Sequence, residues 1–142
     1  NRRFCDLDKY IEQQTGMTVA EIFAKEGEES FRARESQAVE EVAAEKGLVI
    51  ASGGGTVLAR KNVDSFHRYG GKILFLDVPV AALQERLKND KRRPLLQRPG
   101  RREFIASLWE KRCPLYREAA DIVIDAGAPA VVVAKRIGKL FQ

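Results

Sequence analysis

The sequence is short of most features that would commit it to a specialised class. It holds two cysteines, Cys5 and Cys113, and one histidine among 142 residues. Two thiols so far apart give neither a disulfide framework nor a zinc-ligand spacing, so reduced, buried cysteines are expected. The single His67 sits in a helical stretch with no catalytic surroundings, which removes nucleophilic schemes built on an imidazole base. Ser52 neighbours glycines but lacks the Gly-x-Ser-x-Gly elbow. No apolar run approaches the ~20 residues that span a bilayer, and Asn1-Arg2-Arg3 is not followed by a signal-peptide core. A cytoplasmic protein with no membrane association is the expectation.

What is present is an ordinary globular composition. Hydrophobic residues at 44% and charged residues at 32% exclude a collagenous or low-complexity chain and argue against disorder. At one domain per roughly 100–200 residues, a single domain over 1–142 is expected. Lys and Arg outnumber Asp and Glu by 25 to 20. That excess suits nucleic acid, an anionic surface or a small phosphorylated ligand equally well. Nucleic acid is the weakest of these, because the basic residues gather in one stretch, Arg86 to Arg102, with no aromatic side chains interleaved as stacking platforms.

Helix and strand signals alternate, the pattern of an α/β protein with a largely parallel sheet. Arg3 to Leu7 reads as a strand end, with Asp8 capping a helix over Lys9 to Gln14 that Gly16 stops. Thr18 and Glu21 form a capping-box pattern, opening a short helix that Gly27 closes, and Glu28 to Lys46 reads as one long amphipathic helix. Leu48-Val49-Ile50-Ala51 and Lys72 to Val78 read as buried parallel strands. Pro79 suits the first turn of a helix over Val80 to Asn89. Glu103 to Glu118 is helical, with a break or shift expected at Pro114. A last strand, Asp121 to Asp125, precedes a helix opened by Pro129.

Four constellations can carry chemistry, and each has a plain structural reading beside the functional one. Asp6 and Asp8 would share one side of a strand if it persisted through them, well placed for a hydroxyl or a metal-bound phosphate. They serve equally as a helix cap and a solvated acid. Arg32 and Glu35 share a helix face, as a surface ion pair or as part of an anion site. With Arg117, Arg32 would offer a second guanidinium fork for a carboxylate. Gly53-Gly54-Gly55 after a buried strand is either a tight turn or a backbone stripped for close ligand approach. The basic stretch ending Arg92-Arg93-Pro94-Leu95-Leu96 is either a solvated charge run or a lid that brings positive charge to a transferring phosphate.

Taken in order, the segments Asp6-Leu7-Asp8 with Ile11-Glu12, Glu21-Ile22-Phe23, Phe31-Arg32 with Glu35, Gly53-Gly54-Gly55, Arg93-Pro94-Leu95-Leu96 and Pro114-Leu115-Tyr116-Arg117 resemble the shikimate kinase family. The resemblance covers nearly the whole chain. It implies a three-layer α/β/α fold of the P-loop nucleoside-monophosphate-kinase type, with a basic lid at about residues 90–102, and ATP-dependent phosphorylation of the 3-hydroxyl of shikimate. Carried over by position, Asp8 would hold the substrate hydroxyls and act as base. Arg32, the Gly53 to Gly55 turn and Arg117 would hold the substrate, the arginines gripping its carboxylate. Arg93 would be the lid arginine on the ATP phosphates, Arg86 would lie near adenine, and Asp6 would help organise Mg²⁺ through water. The small-molecule substrates shikimate and ATP, no nucleic acid, no membrane and a monomer are expected.

Two departures accompany the resemblance. The family's first strand, its Gly-x-x-x-x-Gly-Lys-Ser/Thr phosphate loop and its first helix have no counterpart in the 142 residues. The chain as written is therefore expected to be inactive as a kinase, and a binding or sensing module for a shikimate-like ligand stands as the alternative. Ala126-Gly127-Ala128 also stands where the family often places an adenine-contacting Arg or Gln.

Overall fold

The computed structural model describes residues 2–88 and 99–141, in two compact units, Asn1–Lys72 and Ile73–Gln142. The first contains strand β1 (Arg3–Asp6), helices α1 (Leu7–Thr15) and α2 (Val19–Ala43), strand β2 (Leu48–Ala51), a 3-10 turn at Thr56–Leu58 and helix α3 (Arg60–Arg68). β1 and β2 pair in parallel, with Arg3 opposite Leu48 and Asp6 opposite Ala51. Leu7, Ile11, Ile22, Phe31, Ala38, Val39 and Val42 form one buried cluster between α1 and α2. Burying each Leu or Ile side chain there contributes about 1.5–3 kcal/mol.

Local chemistry sets the boundaries of these helices. Gly16 ends α1 in the left-handed region, and Thr18 and Glu21 close the capping box that opens α2. Gly27 breaks the helical geometry within α2, at φ 84° and ψ 171°, a conformation that side-chain-bearing residues rarely adopt. The two stretches on either side therefore meet at a kink. At the head of α1 the strand stops one residue sooner than its sequence suggests. Asp6, with extended backbone, is the cap and accepts from Lys9 N at 3.2 Å. Leu7, fully buried, turns into the core as the first helical residue. Asp8 thus belongs to the first helical turn, and strand alternation does not govern the Asp6–Asp8 pair.

The second unit contains β3 (Leu74–Asp77), α4 (Val80–Leu87), α5 (Arg101–Ala119), β4 (Ile122–Asp125) and α6 (Ala130–Leu140). β3 and β4 are again parallel, Leu74 facing Ile122 and Asp77 facing Asp125. The core is smaller, gathered on Val78, Ile124, Ala126 and Val133. Pro79 and Pro129 stand at the N-caps of α4 and α6. The break expected at Pro114 does not occur, since α5 runs through it without interruption. Pro114 and Glu110, whose carbonyl loses its helical partner there, are both exposed, so water can satisfy the orphaned oxygen. Among the described residues no helix is long and apolar enough to cross a membrane. Both cysteines are free thiols, Cys113 buried and Cys5 half-buried, and burial pushes the Cys5 thiol up from its ordinary pKa.

Candidate active site

In the first unit three of the candidate side chains, Asp8, Arg32 and Glu35, come near the turn that follows β2. Arg32 and Glu35 lie one helical turn apart on α2. Glu35 is only 1% exposed, and its Oε1 accepts from Arg32 Nη1 at 3.0 Å. Its Oε2 accepts the Thr56 hydroxyl at 2.8 Å. A carboxylate so deeply buried is tolerable only with its charge paired and both oxygens hydrogen-bonded, and both conditions hold here. Arg32 also reaches Glu28 Oε1 at 3.4 Å.

The glycines of the turn explain how these groups fit. A Cβ on Gly55 would fall 2.5 Å from the Arg32 Nη atoms, so the guanidinium occupies the space a side chain would take. A Cβ on Gly53 would stand 3.4 Å from Asp8 Oδ1 and 3.6 Å from Glu35 Oε2. The stripped turn therefore brings Asp8 and the Arg32–Glu35 pair to the carboxyl end of a parallel strand, where α/β proteins bind ligands. Gly54, between them, is exposed. Both Asp6 and Asp8 stand at the α1 N-terminus, Asp6 as its cap and Asp8 in its first turn.

The second unit holds Arg117 near the C-terminus of α5. Its Nη2 donates to Asp77 Oδ2 at 2.6 Å, at the carboxyl end of β3, with the arginine side chain 54% and the aspartate 24% exposed. A hydrogen-bonding contact with Cys113, and next the Asp77 charge, raise the guanidinium's pKa above its ordinary value. Arg86 is exposed on α4. A cavity of about 210 Å³ between α4 and α5 is lined by Gln84, Glu85, Lys88, Arg101, Arg102 and Ile105, without Arg86. Arg101 there caps α4, donating to the Leu87 and Lys88 carbonyls at 3.0 and 2.8 Å. Arg93 and most of the expected lid lie outside the described residues. Among the described residues no group of three or more His, Cys, Asp or Glu side chains is arranged to hold a metal ion.

Sequence reasoning missed three polar groups. Thr56 and Asn62 are buried, and Asn62 Nδ2 donates to the Thr56 carbonyl at 2.9 Å. No local pattern marks either one. Asp77 ends a predicted strand, and the rule that singled out Asp6 would have found it.

Comparison with known proteins agrees with this geometry. A family model described as shikimate kinase matches residues 1–141. A shikimate kinase of Aromatoleum aromaticum is 50% identical over 125 residues, covering 88% of this chain and 71% of that protein. One from a Psychrobacter species is 44% identical over 143 residues, covering 99% and 79%. Among solved structures, shikimate kinase from Acinetobacter baumannii in complex with shikimate superposes with a TM-score of 0.89 at 36% identity, over 99% of this chain and 79% of that one. Shikimate kinase from Bacteroides thetaiotaomicron gives 0.88 at 34%, over 99% and 84%. The parallel strands, the acid and arginine at the glycine turn and these likenesses converge on one assignment: the chain belongs to the shikimate kinase family, on an α/β fold of the P-loop nucleoside-monophosphate-kinase kind.

Proposed function

We propose that the protein transfers the γ-phosphoryl group of ATP to the 3-hydroxyl of shikimate, a step of aromatic amino acid biosynthesis, and that the 142 residues act as one kinase-like domain. The observation that carries this is the meeting of Asp8 with the Arg32–Glu35 pair at the Gly53–Gly55 turn. The arrangement offers an acceptor for alcohol protons and a fixed cation for a carboxylate. Shikimate presents both groups on one small ring.

In this reading the 3-oxygen of shikimate attacks the γ-phosphorus, the bond to the ADP leaving oxygen breaks, and the hydroxyl proton passes to the Asp8 carboxylate. Arg32 and Arg117 grip the carboxylate of the substrate through bidentate hydrogen bonds, and the exposed Gly54 offers its backbone to the ring. Arg93 meets the ATP phosphates, where a guanidinium stabilises charge as it develops, and Arg86 lies near adenine. Mg²⁺ keeps several waters and takes one or two carboxylates besides substrate phosphates. Asp6, a half-buried carboxylate at a strand end, fits a water-mediated place in that shell. The ion would supply neutralisation of phosphate charge. A cytoplasmic monomer that binds neither nucleic acid nor membrane completes the proposal.

The test is Asp8→Asn in the full-length protein, followed by coupled ATP turnover and shikimate calorimetry. Loss of a positioned base is expected to lower kcat at least about 100-fold with a much smaller change in affinity. Unchanged kcat would remove Asp8 from the chemistry. Tight shikimate binding without any turnover in the parent protein would replace the kinase reading by that of a binding module.

A further inference from the structure

Glu35 is held by two partners, and only one of them belongs to the anion site just described. Arg32 takes Oε1, whereas Oε2 accepts a hydrogen bond from Thr56, a residue with no exposed surface. The terminal torsion of a glutamate is broad, so a carboxylate tied at one oxygen can still swing and carry its guanidinium partner with it. A second tie fixes its plane.

Thr56 is well suited to supply that tie. Its β-branched side chain has few rotamers, and its backbone is anchored from both directions. The Thr56 N–H donates to the Gly53 carbonyl at 3.2 Å, and the Thr56 carbonyl accepts from Asn62 Nδ2 at 2.9 Å. Asn62 is itself 1% exposed. The chain of contacts therefore runs from a rigid buried amide, through the threonine hydroxyl and the glutamate, to the guanidinium lying over Gly55.

We propose that Thr56 is a positioning residue for shikimate recognition: its buried hydroxyl fixes Glu35, and Glu35 in turn aims Arg32 at the substrate carboxylate. The inference rests on the reading that Arg32 binds that carboxylate. Thr56 touches neither substrate nor reacting atoms in this scheme. Its removal should loosen the substrate's anchor and leave the phosphoryl-transfer step alone.

The test compares Thr56→Val, Thr56→Ser and Arg32→Lys in the full-length protein, by shikimate calorimetry and by steady-state kinetics at saturating ATP. Valine keeps the shape and loses the donor, so both Kd and KM for shikimate should rise about tenfold, with kcat within about twofold of the parent. Serine keeps the donor and should return both constants to within about threefold. In the Arg32→Lys background, where the guanidinium fork is already gone, Thr56→Val should add little further loss, because the two residues act in one chain. Should the valine protein fail to fold, Thr56→Ala leaves a small void instead of a misplaced methyl and carries the same expectation. Thr56→Val with unchanged KM beside a weakened Arg32→Lys overturns the role of Thr56 and leaves the arginine in place. A fall in kcat at constant KM, or full additivity with Arg32→Lys, also overturns it. If Arg32→Lys leaves shikimate affinity untouched, the anion-site reading itself fails and takes this inference with it.

Discussion

Arg32 and Arg117 are the same residue put to use in two different ways. In the first unit, Arg32 is paired with a carboxylate only 1% exposed, which a buried hydroxyl holds from its other side. In the second, Arg117 is 54% exposed and its partner Asp77 24%. The first guanidinium is set in place by the fold before any ligand arrives. The second is held by a shorter contact, 2.6 Å against 3.0 Å, yet in a wetter setting where salt screens the charges and side-chain entropy opposes the pairing. Distance alone would rank the two pairs in the wrong order, because burial of the acceptor decides what an ion pair contributes.

The strongest way to break this comparison is to remove each arginine in turn. Arg32→Ala leaves the buried Glu35 carboxylate without its cation and should cost about 3 kcal/mol of stability in urea unfolding, the lower end for a broken buried pair because Thr56 remains. Arg117→Ala should leave the unfolding midpoint where it was. Equal losses for the two variants would mean that burial of Glu35 confers no special dependence. A smaller effect is expected at Gly55. Adding a Cβ there places a methyl 2.5 Å from the Arg32 guanidinium. The end of a flexible side chain gives way before the backbone does, so the fold survives. Gly55→Ala should weaken shikimate binding about tenfold, the scale of one charge-assisted contact displaced, with less loss of stability than Arg32→Ala. Calorimetry beside urea unfolding separates the two quantities.

Asp77 sharpens the contrast in the opposite direction. A substrate carboxylate that uses Arg117 must compete with the partly exposed aspartate already on it, whereas in the proposed scheme the buried Glu35 serves to orient Arg32. Asp77→Asn should therefore tighten shikimate binding by about threefold, the modest scale of a partly exposed ion pair. Weaker binding would show that Asp77 orients Arg117 as Glu35 orients Arg32.

How much of this was legible follows from how far apart the contacting residues lie in the chain. The stop at Gly16 and the Thr18–Glu21 box act within four residues, and their signals were sufficient; the run Leu48–Ala51 forms the expected parallel strand but not a buried one, since Val49 is 50% exposed. The order of acids, glycines and arginines also gave the family. The identity of the α1 cap turned on whether Leu7 faces the core as strand or as helix, which only packing decides. The persistence of α5 through Pro114 depended on the exposure of Glu110. The link from Thr56 to Glu35 spans 21 residues and that from Arg117 to Asp77 spans 40, so neither leaves a local pattern.

The smallest expected effect lies in the first unit, away from the glycine turn. Tyr10 donates to Glu41 Oε1 at 2.6 Å. The bond raises the phenol's pKa to about 12 and lowers that of the Glu41 carboxyl. A depressed carboxyl contributes stability above its unfolded value, about 4.3, and loses it as pH falls through the folded value. A raised phenol contributes stability below about 10 and loses it as pH climbs toward the folded value. The stability difference between the parent and Tyr10→Phe should therefore form a plateau across neutral pH and shrink at both ends, the alkaline decline running from about 10 to 12. Urea midpoints of the two proteins between acid and alkaline pH measure it directly. A difference that stays level into the alkaline range would show that the Tyr10–Glu41 bond adds nothing to the first unit's stability. The buried Glu35–Thr56 link would then be the polar contact to examine next in that unit, since burial is what separates it from the exposed bond that failed.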